Sequence, residues 1–272
     1  MFYVILLALL FGILEGITEW LPISSTGHII LLRHFLPTTY TDAFFELFEV
    51  VIQLGAVGAV VVLFWGTLFP FSKKKTKRER RGTWQLWGKL LVATLPSALV
   101  GLLFDDRIDA LLFNPQTVAI SLILYGVLFL VVERVKKAPR RTDVAELTLG
   151  DAALIGCFQV LALVPGTSRS GATILGGLVL GISRPTAALF SFFLGVPTML
   201  GAGGLKAAKL LLSGVVLSGA EWCTLLVSTL TAFLISLITL RFLVDFVRRH
   251  TFSAFGIYRI VLGVAVLLTL IL

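Results

Sequence analysis

Six stretches of this sequence are apolar and free of charge: Val50–Phe69, Leu90–Phe104, Val118–Val132, Leu189–Leu205, Trp222–Leu240 and Ile260–Leu272. A helix needs about 20 apolar residues to cross a hydrocarbon core of about 30 Å. Several stretches reach that length only with flanking residues such as Lys89 or Arg259, whose charged ends are expected to snorkel to the interface. Of the 272 residues 57% are hydrophobic and 14% charged, with mean hydropathy +0.99. A soluble domain carries about 25% charged residues, so the main solvent of this chain is lipid. The expected fold is an all-α integral membrane protein, one membrane domain over residues 1–272, with six transmembrane helices.

Two further apolar segments are interrupted. Residues 1–35 are broken by Trp20-Leu21-Pro22-Ile23-Ser24-Ser25-Thr26-Gly27-His28, and residues 149–182 by Val164-Pro165-Gly166-Thr167-Ser168-Arg169-Ser170-Gly171. Irregular backbone at membrane depth survives only against protein or a water-filled cavity. Both segments are therefore read as re-entrant helical hairpins, entering and leaving by the same face. Phe2–Leu14 lacks a basic leader and a small-residue cleavage site, and is read as mature structure. Cys157 and Cys223 are read as small buried hydrophobes.

The net charge of +8 sits in loops. Phe71–Lys89, Glu133–Asp151 and Arg241–Ser253 hold sixteen of the 23 Lys and Arg residues, and the opposite set, Arg33–Glu49, Asp105–Thr117 and Lys206–Glu221, holds four. The positive-inside rule puts the first set in the cytoplasm and both termini outside. The Lys73–Arg81 cluster then anchors topology at anionic headgroups, and no nucleic-acid partner is expected.

The broken segments look like copies. Gly12 to Gly27 and Gly156 to Gly171 both span fifteen residues, placing Glu15 opposite Gln159, Ser24 opposite Ser168, Ser25 opposite Arg169 and His28 opposite Ala172. Leu90–Leu95 similarly matches Leu225–Leu230. Each half, about 1–135 and about 149–272, holds one hairpin and three crossings. Three is odd, so the second copy is inverted and the hairpins enter from opposite faces to meet near the midplane.

Glu15 and Glu19, four apart, share one helix face. Ionisable groups at this depth are costly and functional by default. Two adjacent carboxylates call for a shared proton or a cation, and Mg²⁺ bridging them to phosphate oxygens answers that need. Ser24, Ser25, Thr26 and Gly27 precede a helix expected to start near His28, whose free N–H groups favour an anion. Ser25 and His28, three apart, suit a nucleophile–base or phosphate-donor relationship. In the second breaker the forked donor set of Arg169 suits two phosphate oxygens. It is surrounded by Gly166, Thr167, Ser168, Ser170, Gly171 and Thr173, which are read as substrate-binding. His34 and His250 are read as structural.

Glu15-Gly16-Ile17-Thr18-Glu19, Leu21-Pro-Ile-Ser-Ser-Thr-Gly-His28, Phe48-Glu-Val-Val-Ile-Gln-Leu-Gly55 and Pro165-Gly-Thr-Ser-Arg-Ser-Gly-Ala-Thr173 together resemble the bacterial undecaprenyl pyrophosphate phosphatases of the bacitracin-resistance type. The resemblance spans essentially the whole chain. It implies removal of the terminal phosphate from the C55 isoprenoid diphosphate, recycling the carrier lipid for peptidoglycan and other cell-wall synthesis. It also implies a bacterial plasma-membrane location, a site open to the outer face and a divalent metal, Mg²⁺ before Ca²⁺, at Glu15 and Glu19. The expected partners are the polyprenyl diphosphate and membrane lipids; a homodimer stays open. Ser25 is the favoured nucleophile, with His28 or a metal-activated water as alternatives using the same residues. The rival readings are a lipid-phosphate flippase or anion transporter, an acid-phosphatase-like enzyme, disfavoured because its arginine–histidine–aspartate constellation finds no histidine directly after Ser168-Arg169, and an inactive scaffold.

Overall fold

The computed structural model describes residues 2–36, 40–135, 138–213 and 217–270. In chain order the helices are α1 (Phe2–Thr18), α2 (Ser25–Phe35), α3 (Asp42–Leu63), the short α4 (Trp65–Leu68), α5 (Lys77–Leu112), α6 (Pro115–Val135), α7 (Leu149–Val160), α8 (Arg169–Val179), α9 (Arg184–Ser213), α10 (Gly219–Arg249) and α11 (Ser253–Thr269). Among the described residues the β pairing is a single isolated bridge between Arg141 and Ile182.

Four helices contain runs long and apolar enough to cross a membrane: Lys77–Phe104, Pro115–Val135, Arg184–Lys206 and Gly219–Arg249. Phe2–Thr18, Leu47–Leu63, Leu149–Leu163 and Ser253–Thr269 are shorter apolar helices. Leu91, Leu95, Leu99 and Leu102 on α5 stand outward, as do Leu226, Leu230, Leu234 and Ile238 on α10. These positions recur every three or four residues and form apolar stripes with no protein over them, as lipid-facing helix surfaces do. The chain is a multi-pass helical membrane protein.

Helix contacts fall into a repeated pattern. α1 packs on α10, α7 on α5, and α6 on α11. A Cβ at Gly12 of α1 would lie 2.6 Å from the Ser228 carbonyl oxygen, and one at Gly156 of α7 would strike the carbonyl of Ala93. Bare glycine lets each pair of backbones close up, as lipid-immersed interfaces favour. The α6–α11 contact repeats within itself. A Cβ at Gly126 would meet the Gly256 oxygen at 2.7 Å, and one at Gly263 the Ala119 oxygen at 2.9 Å.

Several sequence expectations change. The Lys73–Arg81 cluster is not wholly loop, because α5 begins at Lys77. Thr76 and Glu79 exchange hydrogen bonds there (Thr76 N to Glu79 Oε2 2.6 Å, Glu79 N to Thr76 Oγ1 3.3 Å), a reciprocal cap that starts the helix early. The Lys89 ammonium is tied to the loop after α6, where its Nζ donates to the carbonyls of Val144 and Ala145 at 3.2 and 2.9 Å. Arg259 is fully buried. Cys157 is exposed and Cys223 half-exposed, both free thiols, because their helix faces turn away from the core. Lys136 and Lys137 of the second basic loop, and Ile271 and Leu272 at the end of the sixth expected span, lie outside the described residues.

Candidate active site

Both interruptions of the apolar helices fold alike. α1 stops at Thr18, whose hydroxyl turns back to the Leu14 carbonyl at 2.8 Å. Pro22, with no N–H to give, sits in the turn that follows. α7 tightens into a 3₁₀ turn at Leu161–Leu163 before Pro165 and Gly166, whose φ is +87°. Each turn ends in a serine capping the next helix: Ser24 Oγ accepts from Gly27 N at 3.4 Å and Ser168 Oγ from Gly171 N at 3.1 Å. Among the described residues Ser24 (φ 70°) and Ser168 (φ 72°) are the only non-glycine residues with positive φ. Such backbone costs about 1–3 kcal/mol per residue and collects at functional sites.

α2 therefore starts at Ser25, three residues earlier than expected, because Ser24 is its cap. The first turns of α2 and α8 each follow directly on a breaker, and free N–H groups at a helix N-terminus favour an anion. Thr26, half-buried, lies in the first of these turns, and Thr167, buried, immediately precedes the second cap.

The two breakers meet through side chains 150 residues apart in sequence. Arg169 Nη2 and Nε lie 3.0 and 3.3 Å from Glu19 Oε1, and its Nη1 donates to the Ser191 carbonyl on α9 at 2.8 Å. Ser25 Oγ donates to the other Glu19 oxygen at 3.4 Å. Trp20 stands 5.7 Å from the guanidinium and packs edge-on to Phe192. On α9, a Cβ at Gly195 would come within 3.0 Å of Arg169 Cζ, so the arginine has its position because that residue is glycine.

Glu15, one turn before Glu19, is completely buried, and neither of its oxygens has a hydrogen-bond partner. Its charged neighbours are Glu19, Glu49 of α3 and Arg169. A buried carboxylate without a donor needs a proton or a counter-cation. Among the described residues no three His, Cys, Asp or Glu side chains are grouped to hold a metal; the carboxylates that lead into the first breaker are Glu15 and Glu19.

Ser25 and His28 are not hydrogen-bonded to one another. His28 Nδ1 reaches the Ser24 carbonyl at 2.7 Å and Nε2 the Tyr258 hydroxyl of α11 at 2.7 Å. With the helix starting at Ser25, the ring folds back over the preceding turn and leaves Ser25 to Glu19. Ser170 and Thr173 also spend their hydroxyls within the protein. Ser170 donates to the Glu19 or Leu21 carbonyl (3.0 and 3.3 Å), and Thr173 pairs with Ser191 Oγ at 2.7 Å. They lock the second turn onto the first and onto α9.

A family model described as bacitracin resistance protein BacA matches residues 8–265. The chain belongs to the BacA family. Relatives carrying the name undecaprenyl-diphosphatase include one from Streptococcus mutans, 52% identical over 98% of this chain and 96% of the relative. Another, from Streptococcus thermophilus, is 51% identical over 97% of this chain and 92% of the relative, and one from Enterococcus faecalis is 50% identical over 94% of both. For this BacA-family chain, sequence reasoning missed Ser191, Gly195, Tyr258 and Arg259. The first three carry no local signal, since a serine, a glycine and a tyrosine in an apolar helix are ordinary. Arg259 did carry one, an ionisable group seven residues into an apolar helix, and deserved the same suspicion as Arg169.

Proposed function

We propose that this protein hydrolyses undecaprenyl diphosphate to undecaprenyl phosphate and inorganic phosphate, recycling the carrier lipid in the bacterial plasma membrane. The observation that carries this reading is the meeting of Glu19, Ser25 and Arg169 between two anion-favouring turns. The name borne by relatives about 50% identical over nearly the whole chain supports it. In this reading α1–α2 and α7–α8 are re-entrant hairpins of an inverted repeat, α3, α5, α6, α9, α10 and α11 are its six crossings, and the basic loops are cytoplasmic with the site open to the outer face. Support comes from the matched contacts Gly12–Ser228 with Gly156–Ala93 and Gly126–Gly256 with Gly263–Ala119.

The isoprenoid tail enters from lipid. A cavity of about 640 Å³ is lined by Leu10, Ile13, Ile17, Phe255 and other apolar residues together with Thr18, His28 and Tyr258. It offers the first part of a polyprenyl chain a hydrocarbon path to the site while the remainder stays in the bilayer. The diphosphate is held by Arg169 and by the first-turn amides of α2 and α8, around Ser24, Thr26, Thr167 and Ser168, which neutralise negative charge on the transferring phosphoryl group.

Ser25 Oγ attacks the terminal phosphorus as the bond to the bridging oxygen breaks, and the lipid monophosphate leaves. The hydroxyl proton passes to Glu19, its observed hydrogen-bond partner. Water then cleaves the Ser25–phosphate ester, releasing inorganic phosphate and restoring the hydroxyl. His28, held by Ser24 and Tyr258 and lining the tail cavity, carries protons at the lipid-phosphate side. Glu15 and Glu19 fit a divalent cation, Mg²⁺ before Ca²⁺: the unpartnered oxygens of Glu15 offer free ligands, and such ions keep positions for water and phosphate. When bound, the cation supplies charge neutralisation on the diphosphate oxygens.

The test is phosphate release from the C55 diphosphate by purified protein in detergent, with and without chelator. Wild type releases phosphate and chelator stops it. Absence of release with metal present refutes the reading. A Ser25→Ala protein with near-wild-type turnover excludes the serine as nucleophile and leaves His28 or water.

A further inference from the structure

Arg259 lies in the middle of α11, has no solvent exposure and is among the largest wholly buried side chains. Among the described residues no ion pair includes it. A cation at membrane depth without a carboxylate is expensive and needs a reason.

Its hydrogen bonds supply one. Nη1 donates to the Pro22 carbonyl in the first turn at 3.1 Å, and Nη2 to the Gly166 carbonyl in the second turn at 2.8 Å. The same group also reaches the α6 carbonyls of Ser121 and Leu122, both at 3.4 Å, and its Cζ lies 5.5 Å from the Tyr125 ring. A Cβ at Gly171 would stand 3.1 Å from Nη1, so the second motif's glycine clears the way for this guanidinium. One planar cation thus touches both breakers and ties them to a third helix. The fork suits the task, because its five N–H groups point in fixed directions; the ammonium of lysine offers three donors from one atom.

We propose that Arg259 is the positioning residue that sets the separation of the two turns. It touches no reacting atom. It acts through the backbone, fixing Pro22 relative to Gly166 and so Ser25 and Glu19 relative to Arg169. Its kinetic consequence rests on the phosphatase reading: displacing reacting groups by about 1 Å costs on the order of 100-fold in rate.

The experiment compares wild type with Arg259→Lys and Arg259→Met, the second removing charge and donors together so that no misplaced cation is left buried. Steady-state phosphate release and hydrogen–deuterium exchange are measured on the same detergent-purified samples. In both variants kcat falls about 10- to 100-fold while KM stays within about threefold, the signature of lost transition-state geometry. Exchange rises together in peptides covering residues 19–28 and 164–172 and stays unchanged in α3 and α9. Unchanged kcat, loosening of one turn alone, or a uniform rise over every helix overturns the proposal. If wild type itself releases no phosphate the phosphatase reading fails, while the paired exchange of the two turns still decides the role of Arg259.

Discussion

The α1–α2 turn and the α7–α8 turn share a backbone but differ in how their polar groups are satisfied. Glu15 and Gln159 hold matching places, three residues past Gly12 and Gly156. The Gln159 amide donates to Ser97 Oγ at 2.7 Å and accepts from Thr198 at 3.4 Å, closing a contact among α5, α7 and α9. Glu15 is as deeply buried and has no donor at all. Native proteins seldom leave buried polar atoms unpaired unless the site needs them for something else. On the proposed reading, one half serves as scaffold and the other keeps open coordination. The roles at the caps also divide, with a hydroxyl at Ser25 and a cation at Arg169 in the same first-turn position. On the same reading neither turn is a site alone, and the ion pair of Arg169 with Glu19 is what joins them.

Substitutions can break or sharpen this contrast. The largest effect is expected for Arg169→Ala, which removes the second turn's cation: kcat for phosphate release drops about 100- to 1000-fold, as for loss of a preorganised charge donor. Retention of a tenth of the activity would falsify the shared site. Next is Glu15→Gln, which makes the first half resemble the second. Activity should fall about 10- to 100-fold, with a higher Mg²⁺ concentration at half-maximal rate. The unfolding midpoint should rise, because a buried carboxylate without a partner is removed. Lower stability and unchanged metal dependence would count against the cation-binding role.

Gly195→Ala is milder. The new methyl presses on Arg169 from 3.0 Å, and kcat should fall about tenfold through misplacement, whereas Gly201→Ala, where nothing lies within 4 Å, should leave rate unchanged. Equal behaviour of the two would remove Gly195 from the site. The smallest effect on chemistry is expected for Gln159→Glu. It breaks the amide's bond to Ser97 and buries a charge, lowering stability by about 1–3 kcal/mol in thermal unfolding. Activity below the transition should remain within a fewfold of wild type, and a hundredfold loss would mean the second half is no mere scaffold.

Much of this was legible in the residues because Pro22, Pro165 and Gly166 interrupt apolar runs and because Glu15, Glu19 and Arg169 have no cheap place in lipid. Helix type needed only the length of the apolar stretches. Ends were less readable: Thr76 and Glu79 have the spacing of a reciprocal cap, but only the structure shows that cap prevailing over repulsion among the neighbouring lysines and arginines. Partner choice was the hardest to see. Ser25 with His28 looked natural from spacing, yet the early start of α2 turns the imidazole to Ser24 and Tyr258. Tyr258 and Ser191 are recruited by packing between elements far apart in the chain, which no local pattern encodes. Arg259 was misread because a charge in the short α11 could equally belong to an interface; only its carbonyl partners reveal otherwise.

The most direct measurement is a double-mutant cycle on phosphate release from the C55 diphosphate, using Glu19→Ala, Arg169→Ala and the combination. If both residues serve one diphosphate, each single change removes most of the rate and the double falls at most about tenfold further, since groups acting as a unit are not additive. Losses that multiply in full would mean that the two turns act independently, contradicting a common site.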